Sequence, residues 1–158
     1  MKLVDFSSIR LLLVEDEVFI RSTIKRMLRS LGCRDVREAS DGTEALKALV
    51  DGFLPDVVLC DFRMAPMDGL TFMQQVRAIP EPARARMPII MLTAATDEAT
   101  VRAAVALGIR AYMVKPVSPK QLSDRLSAVL GKREEADEAG PSSPLTKQGF
   151  RRTGLPEC

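Results

Sequence analysis

Short apolar runs alternate along this chain with longer segments in which apolar residues return every three to four positions. Leu11-Leu12-Leu13-Val14 has the length of a buried strand, and after it Ile20, Ile24, Met27, Leu28 and Leu31 share one face of a helix that Gly32 closes. Val36 to Ala39 reads as a second strand, Gly42 to Val50 as a helix ended at Gly52, and Val57-Val58-Leu59-Cys60 as a third strand. A helix from about Gly69 to Ile79 stops at Pro80 and Pro82, and Ile89 to Leu92 follows Pro88 as a fourth strand. Asp97 to Leu107 is an Ala-rich helix closed by Gly108. Ala111 to Val114 is a fifth strand, and Ser118 to Leu130 a last helix closed by Gly131.

Five strand–helix units in succession predict an α/β domain: a doubly wound, five-stranded parallel sheet with five flanking helices. Each right-handed crossover must lay a helix back on the sheet, and apolar strands without polar alternation are those covered on both faces. From Lys132 the character changes. Lys132-Arg133-Glu134-Glu135 opens a charged run, and Gly140, Pro141, Ser142, Ser143 and Pro144 break helical continuity. With Leu145, Phe150 and Leu155 as its only large apolar residues, the segment 132–158 is expected to be a flexible tail. The expected organisation is an N-terminal extension over 1–8, a domain over 9–131 and that tail.

Composition narrows the chemistry. The 158 residues hold 23 Lys and Arg against 21 Asp and Glu, a net charge of +2 that marks neither a nucleic-acid nor a membrane surface. Cys33, Cys60 and Cys158 are widely spaced and odd in number, as free thiols in a reducing compartment would be, so a cytoplasmic location is expected. No stretch of about 18 apolar residues occurs. Histidine is absent. Imidazole bases, Ser-His-Asp and Cys-His pairs and His-ligated zinc are thereby excluded, leaving carboxylate, hydroxyl, amine or metal chemistry.

In an open parallel sheet the ligand site lies beyond the carboxyl ends of the strands. Those positions hold Glu15-Asp16 after the first strand, Asp61 after the third, Thr93 after the fourth and Lys115-Pro116 after the fifth. Singly, an acid after a strand is more often a helix cap or a solvated turn. Together they are different, because clustered carboxylates repel unless a cation or lysine neutralises them. Carboxylate oxygens without Cys or His suit a hard cation such as Mg²⁺.

The segments Leu12-Leu13-Val14-Glu15-Asp16-Glu17, Val58-Leu59-Cys60-Asp61-Phe62-Arg63-Met64, Met67-Asp68-Gly69, Met91-Leu92-Thr93-Ala94 and Tyr112-Met113-Val114-Lys115-Pro116 resemble the receiver domain of two-component response regulators, especially the short single-domain kind known from chemotaxis. The resemblance covers about residues 9–131. It implies the flavodoxin-like strand order 2-1-3-4-5, and it implies that Asp61 accepts a phosphoryl group from a histidine kinase or a histidine phosphotransfer protein. Mg²⁺ would be held by Asp16, Asp61 and the backbone carbonyl of Arg63, with Glu15 completing the pocket. Lys115 would pair with Asp61 at rest, and Lys115-Pro116 is a candidate cis peptide. Thr93 and Tyr112 would form the switch, with an output face on the fourth helix, fifth strand and fifth helix where Ile109, Arg110, Tyr112 and Lys115 are expected near solvent. The chain departs from the family in having Ala65 directly after Met64, with the proline one place later at Pro66. Arg63, two residues past the acceptor, stands where a side chain influences water attack on the phosphoryl group.

Other classes fit less well. An aspartyl-phosphate phosphohydrolase would want a second acid at position 63, which is Arg, and a dinucleotide enzyme would want glycines where Glu15-Asp16-Glu17 stands. The rivals are a receiver-like docking module that is never phosphorylated and a phosphorelay shuttle with the same pocket. Residues 132–158 offer no recognition helix for DNA, so the expected output is a downstream protein target, with the chain a monomer or a weak dimer on phosphorylation. The tail residues Phe150 and Leu155 are expected to anchor a partner.

Overall fold

The computed structural model describes residues 4–94 and 98–139, and in the last helix it describes side chains through Gly131. Its elements in chain order are β1 (Arg10–Val14), α1 (Val18–Ser30), β2 (Asp35–Ala39), α2 (Gly42–Val50), β3 (Val57–Asp61), α3 (Gly69–Arg77), α4 (Pro82–Ala85), β4 (Ile89–Thr93), α5 (Glu98–Ala106), β5 (Ala111–Val114) and α6 (Pro119–Ala139). The strands form one parallel sheet in the order β2-β1-β3-β4-β5, as expected. The first turn of chain, Phe6–Ser8, is a 3₁₀ helix capped by the Asp5 carboxylate, and Val4 and Phe6 pack against the core, so residues 4–8 of the expected extension lie on the domain.

The central strands are apolar up to their last residues, Asp61 and Thr93, because both of their faces are covered, and all five residues of β3 and of β4 are buried. Alternation along each strand sends side chains to opposite sides and divides the core in two. Leu12, Val14, Val58, Cys60 and Met91 face α2, α3 and α5, where they meet Leu49, Phe72, Met73, Val76 and Ala104. Leu11, Leu13, Leu59, Ile90 and Leu92 face α1 and α6, where they meet Ile24, Leu28, Leu122, Leu126 and Val129. Each fully buried side chain of this size contributes about 1.5–3 kcal/mol of transfer free energy.

Helix ends follow local chemistry. Asp41 accepts from the amides of Thr43 and Glu44, and Asp68 from that of Thr71, so α2 and α3 each begin on a carboxylate cap. Gly32 and Gly108 take positive φ, 104° and 84°, where a side chain would be strained, and they end α1 and α5 as their spacing predicts.

Three expectations are corrected. Pro80 and Pro82 do end α3, but Pro82 also opens the extra single turn α4, since its fixed φ suits a first helical position. The last helix does not close at Gly131: α6 runs on to Ala139. A helical Gly costs only about 1 kcal/mol, and Lys132, Arg133, Glu134, Glu135 and Ala136 are good helix formers. Ile109 is not near solvent; it is 1% exposed and belongs to the core between the sheet and α5, because the turn at Gly108 swings it inward, while Arg110 is exposed. The expected helix start at Asp97, and the tail residues Gly140, Leu145, Phe150, Leu155 and Cys158, lie outside the described residues.

Candidate functional site

β1, β3, β4 and β5 run parallel, so their carboxyl ends meet at one edge and bring Glu15, Asp61, Thr93 and Lys115 to it. β1 and β3 are neighbours, with Val14 opposite Cys60, which sets the residues following Val14 beside Asp61. Oxygens of Glu15, Asp16 and Asp61 lie within 4.8 Å of one another. Asp16 is exposed, whereas Glu15 is fully buried and Asp61 is 5% exposed. The cluster thus opens to solvent over one acid and closes over the other two.

Lys115 reaches across from the end of β5. Its Nζ lies 3.1 Å from Asp61 Oδ1 and 3.2 Å from Glu15 Oε1, so one ammonium serves two carboxylates. Those acids in turn hold its pKa above the usual lysine value despite its partial burial. The backbone supplies further donors: the amide of Phe62 donates to Asp61 Oδ1 at 2.8 Å and that of Glu17 to Glu15 Oε2 at 3.1 Å. One lysine and two amides do not fully compensate three carboxylates. Burial, helped by the charge of Asp61, pushes Glu15 up to about 7.

A donor set of three carboxylates, with no sulfur or nitrogen ligand, fits a hard divalent cation, and such an ion would supply the missing charge. Arg63 is exposed, two residues past Asp61. Its neighbour Pro66 follows a cis peptide from Ala65, and Lys115-Pro116 is the second cis bond, as expected for that pair.

Thr93 is 2% exposed and its hydroxyl donates to the carbonyl of Ala94 at 3.1 Å. Tyr112 is half-buried against the core on the α5 side. Met91 pairs with Tyr112 and Thr93 with Val114 across β4 and β5, so Thr93 and Tyr112 share one face of the sheet, one pleat apart. The alternation therefore places the two candidate switch residues on the same side.

Several contributors carry no sequence signal of their own. Arg21 donates from α1 to the carbonyl of Glu15 at 2.8 Å and is steered there by Glu38, 3.1 Å away on β2. Gly69 lets α3 start directly beneath the end of β3: a Cβ there would collide with the Asp61 carbonyl oxygen and stand 2.9 Å from Phe62 Cα. The motif Met67-Asp68-Gly69 marks that position, though the close approach itself is visible only in three dimensions. Cys60, adjacent to Asp61, is buried, and burial pushes its thiol well up, so it acts as packing.

Comparison with known proteins agrees with this geometry. The family model of the response regulator receiver domain matches residues 11–127. A CheY chemotaxis protein homologue of Campylobacter jejuni is 39% identical over 122 residues, covering 77% of this chain and 92% of that protein. CheY1 of Helicobacter pylori is 38% identical over 122 residues, with 77% and 97% covered. A probable transcriptional regulator, ycf27 of Guillardia theta, is 40% identical over 141 residues; 89% of this chain is matched, and it spans about half (52%) of that longer protein. Among solved structures, CheY4 of Vibrio cholerae superposes with a TM-score of 0.68 at 33% identity, covering 77% of this chain and 98% of that one. The receiver domain of a sensor histidine kinase of Pseudomonas aeruginosa, described with a magnesium ion coordinated in its active-site cleft, gives 0.69 at 32% identity, with 78% and 98% covered. With strand order, acidic pocket and sequence all in agreement, this chain belongs to the response regulator receiver domain family.

Proposed function

We propose that this protein accepts a phosphoryl group on Asp61 from a histidine kinase or histidine phosphotransfer protein, in a Mg²⁺-dependent reaction, and that the modification changes which protein it binds. The observation that carries this is the single ammonium of Lys115 lying 3.1 Å from Asp61 and 3.2 Å from Glu15 inside a three-carboxylate pocket that remains short of positive charge. A module that only docked would have no physical use for so costly a cluster.

The described contacts of Asp61 from Lys115 and the Phe62 amide both fall on Oδ1, which points to Oδ2 as the attacking oxygen. As Oδ2 bonds to phosphorus, the P–N bond of the donor's phosphohistidine breaks and an acyl phosphate results. The chain itself lacks histidine, in keeping with a donor that supplies it. Asp16, Asp61 and the backbone carbonyl of Arg63 would hold Mg²⁺, with Glu15 behind them, and the ion when bound would offset the charge gathering between carboxylate and phosphoryl oxygens. Lys115 exchanges its Asp61 contact for a phosphoryl oxygen. The Thr93 hydroxyl turns from Ala94 toward the phosphoryl group, leaving room beside it into which the ring of Tyr112 moves, so that the surface of α5, β5 and α6 carries the signal to a protein target. The exposed guanidinium of Arg63 borders the path of hydrolytic water and sets the lifetime of the phosphoryl group.

Incubation with acetyl phosphate, with and without Mg²⁺, followed by intact mass, tests the proposal. Wild type gains one phosphoryl group only with Mg²⁺, and Asp61→Asn gains none. A labelled Asp61→Asn protein removes Asp61 as acceptor. A folded, Mg²⁺-binding wild type that no phosphorylated kinase can label is instead a docking module.

A further inference from the structure

We infer, on the footing that Asp16 and Asp61 hold Mg²⁺ as proposed above, that Arg21 is a positioning residue for the ion: it fixes the peptide between Glu15 and Asp16 and so sets where the exposed acid of the pocket stands.

Arg21 is the fourth residue of α1, and helical side chains lean back toward the N-terminus, so its guanidinium reaches the loop that precedes the helix. Its Nη1 donates to the carbonyl of Glu15 at 2.8 Å, and its Nε donates to Glu38 Oε1 on β2 at 3.1 Å. The other oxygen of Glu38, Oε2, accepts from Lys25 at 2.7 Å, so the carboxylate that aims Arg21 is itself held at both oxygens. Hydrogen bonds from Lys25 and Arg21 keep Glu38 below its ordinary carboxylate value, and the pairing therefore persists at neutral pH. The next residue of β2, Ala39, accepts from the amide of Glu15 at 3.0 Å. Glu15 is thus gripped from β2 twice, at its N–H directly and at its C=O through Arg21. That carbonyl belongs to the peptide leading into Asp16.

Two features separate this contact from ordinary packing. Asp16 is exposed, and among the described residues its carboxylate has no hydrogen bond or ion pair, so the backbone alone presents it to the pocket. A cation near a helix N-terminus also meets the positive end of the dipole, which works against the helix. α1 has no acid in its first turn and no side-chain cap to offset that charge; Glu38 answers it from β2 instead. Helix stability therefore does not account for a guanidinium at this position. Its bond to the Glu15 carbonyl does, and with the Arg21 side chain only 18% exposed that bond is largely sheltered from competing water. Residues that orient metal-binding groups without touching the metal typically contribute about 10–100-fold to its affinity.

Charge and position predict opposite signs. Arg21→Gln removes a cation near an acidic pocket, which by charge alone tightens the binding of a divalent cation, whereas loss of the positioning bond weakens it. Amide chemical shifts of the full, isotope-labelled chain titrated with MgCl₂ at pH 8 give the dissociation constant, and the resting shifts of residues 15–17 report the loop itself. Arg21→Gln weakens Mg²⁺ binding about tenfold and moves the resting signals of Asp16 and Glu17. Arg21→Lys, which keeps the charge without the planar fork, recovers the affinity only in part. Ile24→Val, which trims the buried face of α1, and Lys25→Met, which touches only the far oxygen of Glu38, stay within about twofold of wild type and so separate positioning from helix stability. An Arg21→Gln protein that binds Mg²⁺ as tightly as wild type, or more tightly, overturns the inference, as does equal weakening in Ile24→Val. Where Arg21→Gln does not fold, Glu38→Gln, which leaves the guanidinium but removes its aim, decides by the same outcomes. A folded wild type with no saturable Mg²⁺ response removes the metal from the proposed function, and this inference with it; unchanged affinity in the variants removes the inference alone.

Discussion

Burial of Glu15 makes the stability of the metal-free protein depend on pH across a window in which the chain has no histidine to titrate. Its folded value of about 7 stands above the ordinary 4.5, chiefly through burial. Between those values the native state holds a proton that the unfolded chain has released, so stability falls as pH rises, and above about 7 the loss is complete. At about 1.4 kcal/mol per pH unit for one proton the full span is about 3 kcal/mol; solvent entering over the exposed Asp16 screens part of it, and we expect about 2 kcal/mol. No histidine contributes to this slope. Urea unfolding in EDTA at pH 5, 6, 7 and 8 measures it, with Glu15→Gln as the control. Wild type should lose stability across pH 5–7 and level off above it, and Glu15→Gln should be flat over the same range. A wild type that gains stability across pH 5–7, or a Glu15→Gln variant with the wild-type slope, would refute the assignment.

Other perturbations follow from the same geometry. Mg²⁺ needs the ionised pocket, so the midpoint of thermal unfolding should rise more on adding it at pH 8 than at pH 5.5, and an equal rise at both would separate the ion from Glu15. Lys115→Met leaves Glu15 and Asp61 without their shared cation; it should cost about 3–5 kcal/mol at pH 8 and less at pH 5.5, where Glu15 takes up a proton, as read by urea midpoints. Gly69→Ala forces a Cβ against the backbone of Asp61 and Phe62, and should cost about 1–3 kcal/mol in the same assay and slow labelling by acetyl phosphate.

The strands were legible because β1, β3 and β4 are covered on both faces, which only an unbroken apolar run can satisfy. Helix ends were legible where a glycine takes positive φ, as at Gly32 and Gly108, and misleading at Gly131, where the flanking residues favour helix and no turn is required. The acids and the lysine were legible because topology alone carries strand ends to one edge. Their protonation was not: the burial of Glu15 depends on what packs over it. Arg21 was illegible for a related reason, since a long side chain that reaches a backbone carbonyl leaves no period or motif in the sequence. Ile109 was expected near solvent on the output face, and only the path of the chain after Gly108 sends it inward.

The sheet keeps its two apolar compartments apart, and this bears on how the protein can be rebuilt. Phe72, Met73 and Val76 belong to one buried cluster and Ile24, Leu28 and Leu126 to the other, with β1, β3 and β4 between them. Substitutions in the two groups should therefore add, within about 0.3–0.5 kcal/mol, whereas pairs within one group should couple. Thr93 and Tyr112 both belong to the compartment of α3 and α5. The opposite layer, formed by α1 and α6, is thus the side on which a designer can exchange core residues for stability and leave the layer of Thr93 and Tyr112 untouched.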